Sequence, residues 1–358
     1  MRQIFVLDIC DINIEKHRMN DMTKKYYQLA PDLTICRIVN GMWQVAGGHG
    51  YIDHELAIAD MIRYHDADFT SWDLADIYGP AEDFIGEFRR RLSTLKGKEE
   101  LERIQALTKW VPQPGRITRS IVKENIERSL RRMSVSSLDL LQFHWWDYNN
   151  PYYIDALKYL SDLRDEGRIR HIGLTNFDTE RIQIMIDSDI QVVSNQVQYS
   201  IIDRRPEVKM IPFCLEHNIS LLAYGSICGG LISERYLGRT RPPSTTELNT
   251  LSLRKYMKMI EAWGGWNLFQ ELLSTLKRIA QKYNVSIANV ATQYILDKSA
   301  AVAGVIIGVR LGIAEHRNNN AQVFNFSLDK LDYDDIDAVC KKSNDLFEII
   351  GDCGDEYR

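Results

Sequence analysis

The sequence predicts an α/β fold in which eight strands alternate with helices and close into a (β/α)8 barrel of the TIM type. Short runs rich in β-branched and aromatic residues are each followed by a longer stretch with helical spacing, a pattern typical of βαβ units. Eight such runs are present, the number that closes a parallel barrel. A chain of 358 residues also lies within the usual span of one such barrel with insertions.

The composition indicates a chain that buries a full core without disulfides or metals. Hydrophobic residues make up 45% and charged residues 26% of the sequence, ordinary values for a globular domain. A net charge of −5 gives no overall reason to bind nucleic acid or acidic lipid. The six cysteines form no C-x-x-C pair, so we expect reduced thiols and no metal site. No apolar run approaches the roughly 20 residues that cross a bilayer, and we therefore expect a cytoplasmic protein.

The eight candidate strands follow one another along the chain as VNGMWQ, DFTSWDLAD, IQALTKW, LDLLQFHWW, IRHIGLTNF, VVSNQVQYS, ISLLAYGSI and VAGVIIGV. Ahead of them, YYQLA and TICRI flank Pro31 and Asp32, which favour a tight turn, and this predicts a hairpin that caps one end of the barrel. Helix starts are indicated by the N-cap residues Asp53, Thr118 and Asp178.

Other segments lie outside the eight repeating units. A long loop is predicted after the seventh strand, between Gly230 and Trp266. Two extra helical stretches follow the eighth strand, and the acidic segment GDCGDEYR ends the sequence. We expect a single domain over residues 23–358 and a disordered leader over residues 1–22, since no cleavage site appears there.

Four polar residues lie at or just after the ends of three neighbouring predicted strands, and catalytic residues of TIM barrels lie at the carboxyl ends of the strands. Asp73 and Tyr78 follow the second strand, Lys109 ends the third and His144 ends the fourth. A tyrosine is a useful acid or base near neutral pH only if its phenolate is stabilised, and a neighbouring ammonium does that. Lys109 supplies this charge, Asp73 compensates its burial, and His144 orients a substrate oxygen.

The motifs DLADIYGPAE, LTKW, LQFHWWD, GLTNF, NQVQYS and LAYGSICGGLIS, over residues 34–345, resemble those of the aldo-keto reductase superfamily. The family's catalytic tetrad falls on Asp73, Tyr78, Lys109 and His144, with the family's spacing of five between the first two. One departure is Leu74, which stands at a position that is often threonine. Its side chain is expected to face away from the tetrad.

The resemblance also implies a nicotinamide cofactor held by the barrel itself, since no G-x-G-x-x-G follows an early strand. The family's contacts to the nicotinamide correspond to Thr175, Asn176, Gln196 and the stacking ring of Tyr224. The diphosphate is expected to lie near the small residues of GSICGGL, which are Ser226, Gly229, Gly230 and Leu231.

The adenosine end is expected beside the segment after the eighth strand, which resembles the family's adenosine-phosphate segment. The matching residues are Gly308, Arg310, His316 and Asn320, and Arg310 is expected to contact the 2′-phosphate, so that NADPH is preferred to NADH. For the substrate, Trp43, Trp110 and Trp145 occur at or near strand ends and are candidates to line an apolar pocket.

Taken together, the residues and the resemblance predict an NADPH-dependent oxidoreductase that reduces an aldehyde or ketone to an alcohol, with Tyr78 as the general acid. The expected partner is a small carbonyl compound, and no nucleic acid, membrane or obligate protein partner is expected. One alternative is a cofactor-sensing regulatory binding protein of the same fold, against which an intact tetrad argues. The other, a metal-dependent hydrolase, is disfavoured because neither H-x-H nor H-E-x-x-H appears.

Overall fold

A computed structural model describes residues 24–357 except positions 49 and 114, and eight of its strands form a closed parallel barrel. The predicted leader over residues 1–22 lies outside the described residues, and the single domain over residues 23–358 stays a prediction. The barrel strands in chain order are β3 (Ile38–Gly41), β4 (Ser71–Asp73), β5 (Gln105–Trp110), β6 (Leu138–His144), β7 (Ile169–Thr175), β8 (Ser194–Gln198), β9 (Ser220–Tyr224) and β10 (Val302–Gly308). Each strand pairs with the next, and β10 pairs with β3. The predicted fold is confirmed.

Helices surround the barrel and begin where the sequence signals them. Asp53 accepts a hydrogen bond from the Leu56 amide and Thr118 one from the Ile121 amide, so that each caps the helix after it. The helices are α1 (His54–Asp66), α2 (Ala81–Lys96), α3 (Arg119–Met133), α4 (Tyr152–Asp165), α5 (Thr179–Asp187), α6 (Met210–His217), α7 (Leu251–Trp263), α8 (Gly265–Tyr283), α9 (Ile287–Asp297), α10 (Arg317–Ala321), α11 (Lys330–Cys340) and α12 (Leu346–Ile350). In the part of the chain that the structure describes, no helix is both long and apolar enough to span a membrane.

The predicted hairpin consists of β1 (Tyr26–Ala30) and β2 (Leu33–Cys36), paired antiparallel. Its apolar side chains share one buried cluster with inward-facing residues of the barrel strands; the cluster contains Leu29, Ala30, Leu33, Ile35, Val39, Leu107, Leu140, Leu222 and Ala303. At the hairpin turn, Asp32 Oδ1 lies 2.6 Å from His171 Nε2, which makes His171 a structural residue. The hairpin therefore closes the amino end of the barrel.

The connection after β9 is long, as predicted, but it contains regular structure. It includes a short 3-10 turn at Glu234–Tyr236 and then α7. Four buried residues of α7 recur at the spacing of one helix face, a signal present in the sequence: Leu253, Tyr256, Met257 and Ile260. A Cβ placed on Gly225 would collide with the Tyr256 hydroxyl, so this helix packs directly against the turn that follows β9.

Candidate active site at the carboxyl end of the barrel

The four predicted catalytic residues lie at the carboxyl ends of three neighbouring strands. Asp73 ends β4, Lys109 lies near the end of β5, His144 ends β6, and Tyr78 is in the loop after β4. The parallel register pairs Asp73 with Leu107. Lys109 is two residues beyond Leu107, so both side chains point into the barrel and Lys109 is nearer its carboxyl end.

Lys109 and Asp73 form a buried ion pair. Lys109 Nζ lies 2.6 Å from Asp73 Oδ1 and 2.7 Å from Asp73 Oδ2, and it also donates to the carbonyl oxygen of Leu74 at 3.1 Å. Burial lowers the pKa of the Lys109 ammonium, and the carboxylate of Asp73 offsets part of that effect. Asp73 is therefore what allows a positive charge to remain inside the barrel.

The ring of Tyr78 lies beside this ammonium. Lys109 Nζ is 5.1 Å from the centroid of the Tyr78 ring. On its other side the ring contacts Trp43 edge to face, with 5.0 Å between centroids. Tyr78 is half-buried, so its ring is fixed between a charge and an indole while one part still reaches solvent.

His144 is oriented by the backbone of the next strand. Its Nδ1 lies 3.0 Å from the carbonyl oxygen of Thr175. Because a carbonyl oxygen only accepts, Nδ1 carries a proton. Nε2 of the neutral ring is then an acceptor, whereas in the imidazolium form Nε2 is a second donor.

Two glutamine amides complete the polar layer, one of which the sequence analysis did not single out. Gln142 Nε2 donates to Asp73 Oδ1 at 3.0 Å, and Gln196 Nε2 donates to the same oxygen at 2.6 Å. Gln196 Nε2 also lies 2.7 Å from Gln142 Oε1. Strand alternation places Leu140, Gln142 and His144 on one face of β6, and that periodicity was the available signal for Gln142.

The residues expected at the nicotinamide are adjacent to this layer. The Tyr224 hydroxyl lies 2.9 Å from Asn176 Oδ1, and the amide of Asn176 donates to the carbonyl of Gln196 at 2.9 Å. Thr175 Oγ1 is buried and has no hydrogen-bond partner among the described residues. A buried hydroxyl without a partner at this point fits a polar ligand group.

The residues expected at the diphosphate form a tight turn after β9. The amide of Gly230 donates to the carbonyl of Ile227, and that of Leu231 to the carbonyl of Cys228. These two amides already have partners within the turn. Ser226 Oγ, in contrast, is buried without a hydrogen-bond partner among the described residues.

The residues expected at the adenosine end follow β10 but differ in exposure. Arg310 and His316 are exposed. Asn320 is buried, and its amide donates to the carbonyl of His316 at 2.8 Å. A Cβ at Gly308 would overlap the Gln44 side chain, so only glycine fits there without rearrangement. Arg310 is therefore the accessible cation of this set.

The three tryptophans predicted to line a pocket lie in different environments. Trp43 is 36% exposed and contacts Tyr78. Trp110 is buried, with its ring 5.6 Å from that of Phe143, and Trp145 is fully buried beside the same phenylalanine. The structure places Trp43 at the site and the other two in the aromatic core.

Trp146, which the sequence analysis did not single out, lies beside His144. Its ring is 39% exposed and stands perpendicular to His144, with 4.3 Å between centroids. The indole Nε1 of Trp145 instead donates to the carbonyl of Asp147 at 2.7 Å. Trp145 and Trp146 follow the end of β6 at His144, and the chain bends at Trp146, so the two rings lie in different environments.

The carboxyl-terminal segment adds a residue that no motif indicated. Glu356 Oε1 lies 3.1 Å from the Tyr224 hydroxyl, although 132 positions separate the two residues. The segment that ends the sequence thus lies beside the candidate nicotinamide contacts.

Comparison with known proteins identifies the family of the chain. A model of the aldo/keto reductase family matches residues 37–341. The chain belongs to the aldo/keto reductase family. Its members are oxidoreductases that use nicotinamide cofactors, and the resemblance seen in the sequence is confirmed.

Two proteins of similar sequence and one of similar structure illustrate what this aldo/keto reductase resembles. Over 324 residues the chain is 23% identical to the NADH-specific methylglyoxal reductase of Escherichia coli, covering 84% of this chain and 93% of that protein. It is 29% identical to flagellar radial spoke protein 5 of Chlamydomonas reinhardtii over 177 residues, covering 45% of this chain but only 33% of that protein. An aldo/keto reductase from Klebsiella pneumoniae, solved in complex with NADP and acetate, shares the fold with a TM-score of 0.66 and 22% identity, covering 88% of this chain and 95% of that one.

Leu74, where this member of the family departs from the common threonine, is fully buried in the main hydrophobic cluster. Its carbonyl oxygen accepts from Lys109 Nζ. The departure therefore leaves the tetrad intact, since the backbone rather than the side chain of Leu74 contributes to it.

Proposed function

We propose that this aldo/keto reductase is an NADPH-dependent enzyme that reduces an aldehyde or ketone to an alcohol, with Tyr78 as the general acid. The observation that carries the proposal is the ammonium of Lys109, paired with Asp73 and 5.1 Å from the centroid of the Tyr78 ring. A positive charge next to a phenol stabilises the phenolate that remains after the proton leaves.

Three residues of the chain have distinct proposed roles in carbonyl reduction. Tyr78 donates a proton to the carbonyl oxygen as negative charge develops there, and Lys109 stabilises the resulting phenolate. Asp73 keeps Lys109 charged and in place. A bound reduced nicotinamide supplies the hydride to the carbonyl carbon.

His144 has a role that depends on its protonation. With Nδ1–H donating to Thr175, a neutral His144 accepts at Nε2, and so it orients a hydroxyl rather than a carbonyl. The imidazolium form donates from Nε2 to the carbonyl oxygen. The proposed positioning of a carbonyl by His144 thus requires the charged ring, and the neutral ring suits the alcohol.

The residues proposed to hold the cofactor fit a nicotinamide dinucleotide. Thr175, Asn176, Gln196 and Tyr224 would hold the nicotinamide end, and the buried, unsatisfied hydroxyl of Thr175 supports this assignment. For the adenosine end, the exposed Arg310 supports NADPH, because a guanidinium binds a phosphate through paired hydrogen bonds.

The substrate is proposed to be an apolar or aromatic carbonyl compound. Trp43 beside Tyr78 and Trp146 beside His144 are each more than a third exposed, and their rings flank the two residues that contact the carbonyl oxygen. Flat apolar walls of this kind favour aromatic or aliphatic groups over charged sugars.

The direct test follows NADPH and NADH oxidation with a panel of aromatic aldehydes, ketones and quinones. Tyr78→Phe is expected to reduce turnover by at least a hundredfold, as the loss of a general acid does, while NADPH binding is retained. Tyr159→Phe, on the outer helix α4, is the matched control. Full turnover by Tyr78→Phe would contradict the proposal, and NADPH binding without turnover of any compound by the wild-type protein would favour a regulatory binding protein.

A further inference from the structure

The segment after α12 returns across the carboxyl end of the barrel and is anchored there. The chain turns at Gly351, whose φ is 106°. Asp352 Oδ2 then accepts from the amide and the hydroxyl of Thr179, at 3.3 and 2.9 Å, and the carbonyl of Asp352 accepts from Arg205 Nη1 at 3.1 Å. Cys353 and Gly354 are buried. These contacts fix the segment between α5 and the loop after β8.

Glu356 is the residue that this segment directs toward the candidate nicotinamide site. Its side chain is only 5% exposed, and Oε2 lies 3.0 Å from Arg205 Nη2. The same oxygen accepts from the amide of Gly354 at 2.9 Å. Oε1 faces the Tyr224 hydroxyl at 3.1 Å. Three donors therefore hold this buried carboxylate in a defined position.

Glu356 lies among charged side chains of both signs. Arg205 Nε also binds Asp203 Oδ1 at 2.8 Å, and Lys255 Nζ lies 5.2 Å from the centroid of the Tyr224 ring. Burial by itself raises the pKa of the Glu356 carboxyl, but Arg205 and Lys255 outweigh that effect and hold this pKa below its ordinary value. Glu356 is therefore held as a carboxylate, which accepts hydrogen bonds.

Tyr224 is anchored through its hydroxyl. Its one proton is shared between two acceptors, Asn176 Oδ1 at 2.9 Å and Glu356 Oε1 at 3.1 Å. A hydrogen bond at the far end of a phenol fixes the tilt of its ring, because the ring otherwise rotates about two single bonds. The face of Tyr224 is where the proposed function places the nicotinamide.

We propose that Glu356 is a positioning residue of the nicotinamide site, which holds the Tyr224 ring through the tyrosine hydroxyl in the orientation that stacks on the cofactor. This inference rests on the proposed function. The carboxyl-terminal segment is, on this account, a component of the cofactor site, and a preorganised ring reduces the entropy lost when the dinucleotide binds.

The test measures the dissociation constant of NADPH for the full-length protein by quenching of tryptophan fluorescence. Glu356→Ala is expected to weaken NADPH binding about tenfold, the change expected when a charge-assisted hydrogen bond is lost. Glu356→Gln is expected to retain most of the affinity, because its amide oxygen still accepts from Tyr224. Glu348→Ala, at an exposed position on the preceding helix α12, removes the same charge outside the segment and is expected to have no effect.

A second comparison separates this role from a general loosening of the segment. Affinity for 2′,5′-ADP, which lacks the nicotinamide, is expected to be unchanged in Glu356→Ala. In a Tyr224→Phe background, the same substitution is expected to add nothing, because the hydroxyl through which Glu356 acts is absent.

Equal or tighter NADPH binding by Glu356→Ala would overturn the inference, and tighter binding would mean that the segment inhibits the site. A matching loss of 2′,5′-ADP affinity, or an undiminished effect in the Tyr224→Phe background, would also overturn it. Failure of the wild-type protein to bind NADPH or NADH would end both proposals. Binding without carbonyl turnover would contradict the proposed reductase alone, since affinity is measured directly.

Discussion

Trp145 and Trp146 follow the end of β6 and contact different parts of the molecule. The first is fully buried against Phe143, and the second is 39% exposed beside His144. Because the chain leaves β6 at His144 and bends at Trp146, two identical side chains one position apart lie in the core and beside His144.

This difference predicts opposite effects of two matched substitutions. Trp145→Ala is expected to lower the free energy of unfolding by about 4 kcal/mol, because a large buried ring leaves a cavity. Trp146→Ala is expected to change that free energy by less than about 0.5 kcal/mol but to raise KM for an aromatic aldehyde severalfold. Urea unfolding and steady-state kinetics of both variants check this. A stability loss in Trp146→Ala as large as that in Trp145→Ala would contradict the assignment.

At the scale of an element, the loop after β4 contains a carboxyl that titrates near neutral pH. Asp76 Oδ1 accepts from the amide of Val111 at 3.2 Å. Burial, and then the nearby charge of Glu82, raise the pKa of Asp76 from 3.8 to about 6. This loop connects Asp73 to Tyr78, so its stability bears directly on the site.

The raised pKa predicts how stability depends on pH. The folded state binds more protons than the unfolded state between pH 4 and 6, so the contribution of Asp76 to the free energy of unfolding falls as pH rises through that window, by roughly 3 kcal/mol. Asp76→Asn is therefore expected to be more stable than the wild type at pH 8 and equal to it at pH 4. Urea unfolding at both pH values measures the difference. The exposed Asp155→Asn is the control, and a wild-type advantage at pH 8 would refute the prediction.

At the same scale, the sequence of α7 contains a helical pattern, although the sequence analysis predicted a loop there. Its apolar residues have helical spacing, yet the stretch Pro242, Pro243, Ser244 and Thr245 shortly before it favoured a loop over the whole connection. The helix N-caps at Asp53 and Thr118, in contrast, were predicted correctly, because a cap depends on contacts within one turn.

At the scale of the whole molecule, the two ends of the barrel differ in the side chains that fill them. The hairpin fills the amino end with apolar side chains, and the polar layer around Asp73 and Lys109 occupies the carboxyl end. Among the described residues, the hairpin cluster and the polar layer have no side chain in common.

This separation predicts a variant that affects stability without affecting catalysis. Ile35→Ala, in the hairpin, is expected to lower the free energy of unfolding by about 3 kcal/mol, within the range for buried aliphatic truncations. KM and kcat are expected to be unchanged at a temperature at which the variant remains folded. Thr34→Ala, exposed on the same strand, is the control in urea unfolding and kinetics. A selective rise of KM in Ile35→Ala would show that the two ends are coupled.

The sequence by itself determined the barrel, the order of its strands, the closing hairpin and the positions of the tetrad residues. These features follow from hydrophobic periodicity and from the rule that parallel strands present their ends at one face, both of which are local or topological. Asp73 and Lys109 were recognisable because each lies at a strand end.

Only the tertiary structure decided three features of the site. Trp146 rather than Trp145 faces the tetrad, Gln142 and Gln196 share an oxygen of Asp73, and Glu356 reaches Tyr224 across 132 positions. The first depends on where β6 ends, and the others on side chains from distant elements that meet only when the chain has folded. Local patterns contain no information about such contacts, because their energies arise from packing and charge pairing between segments that are far apart in the sequence.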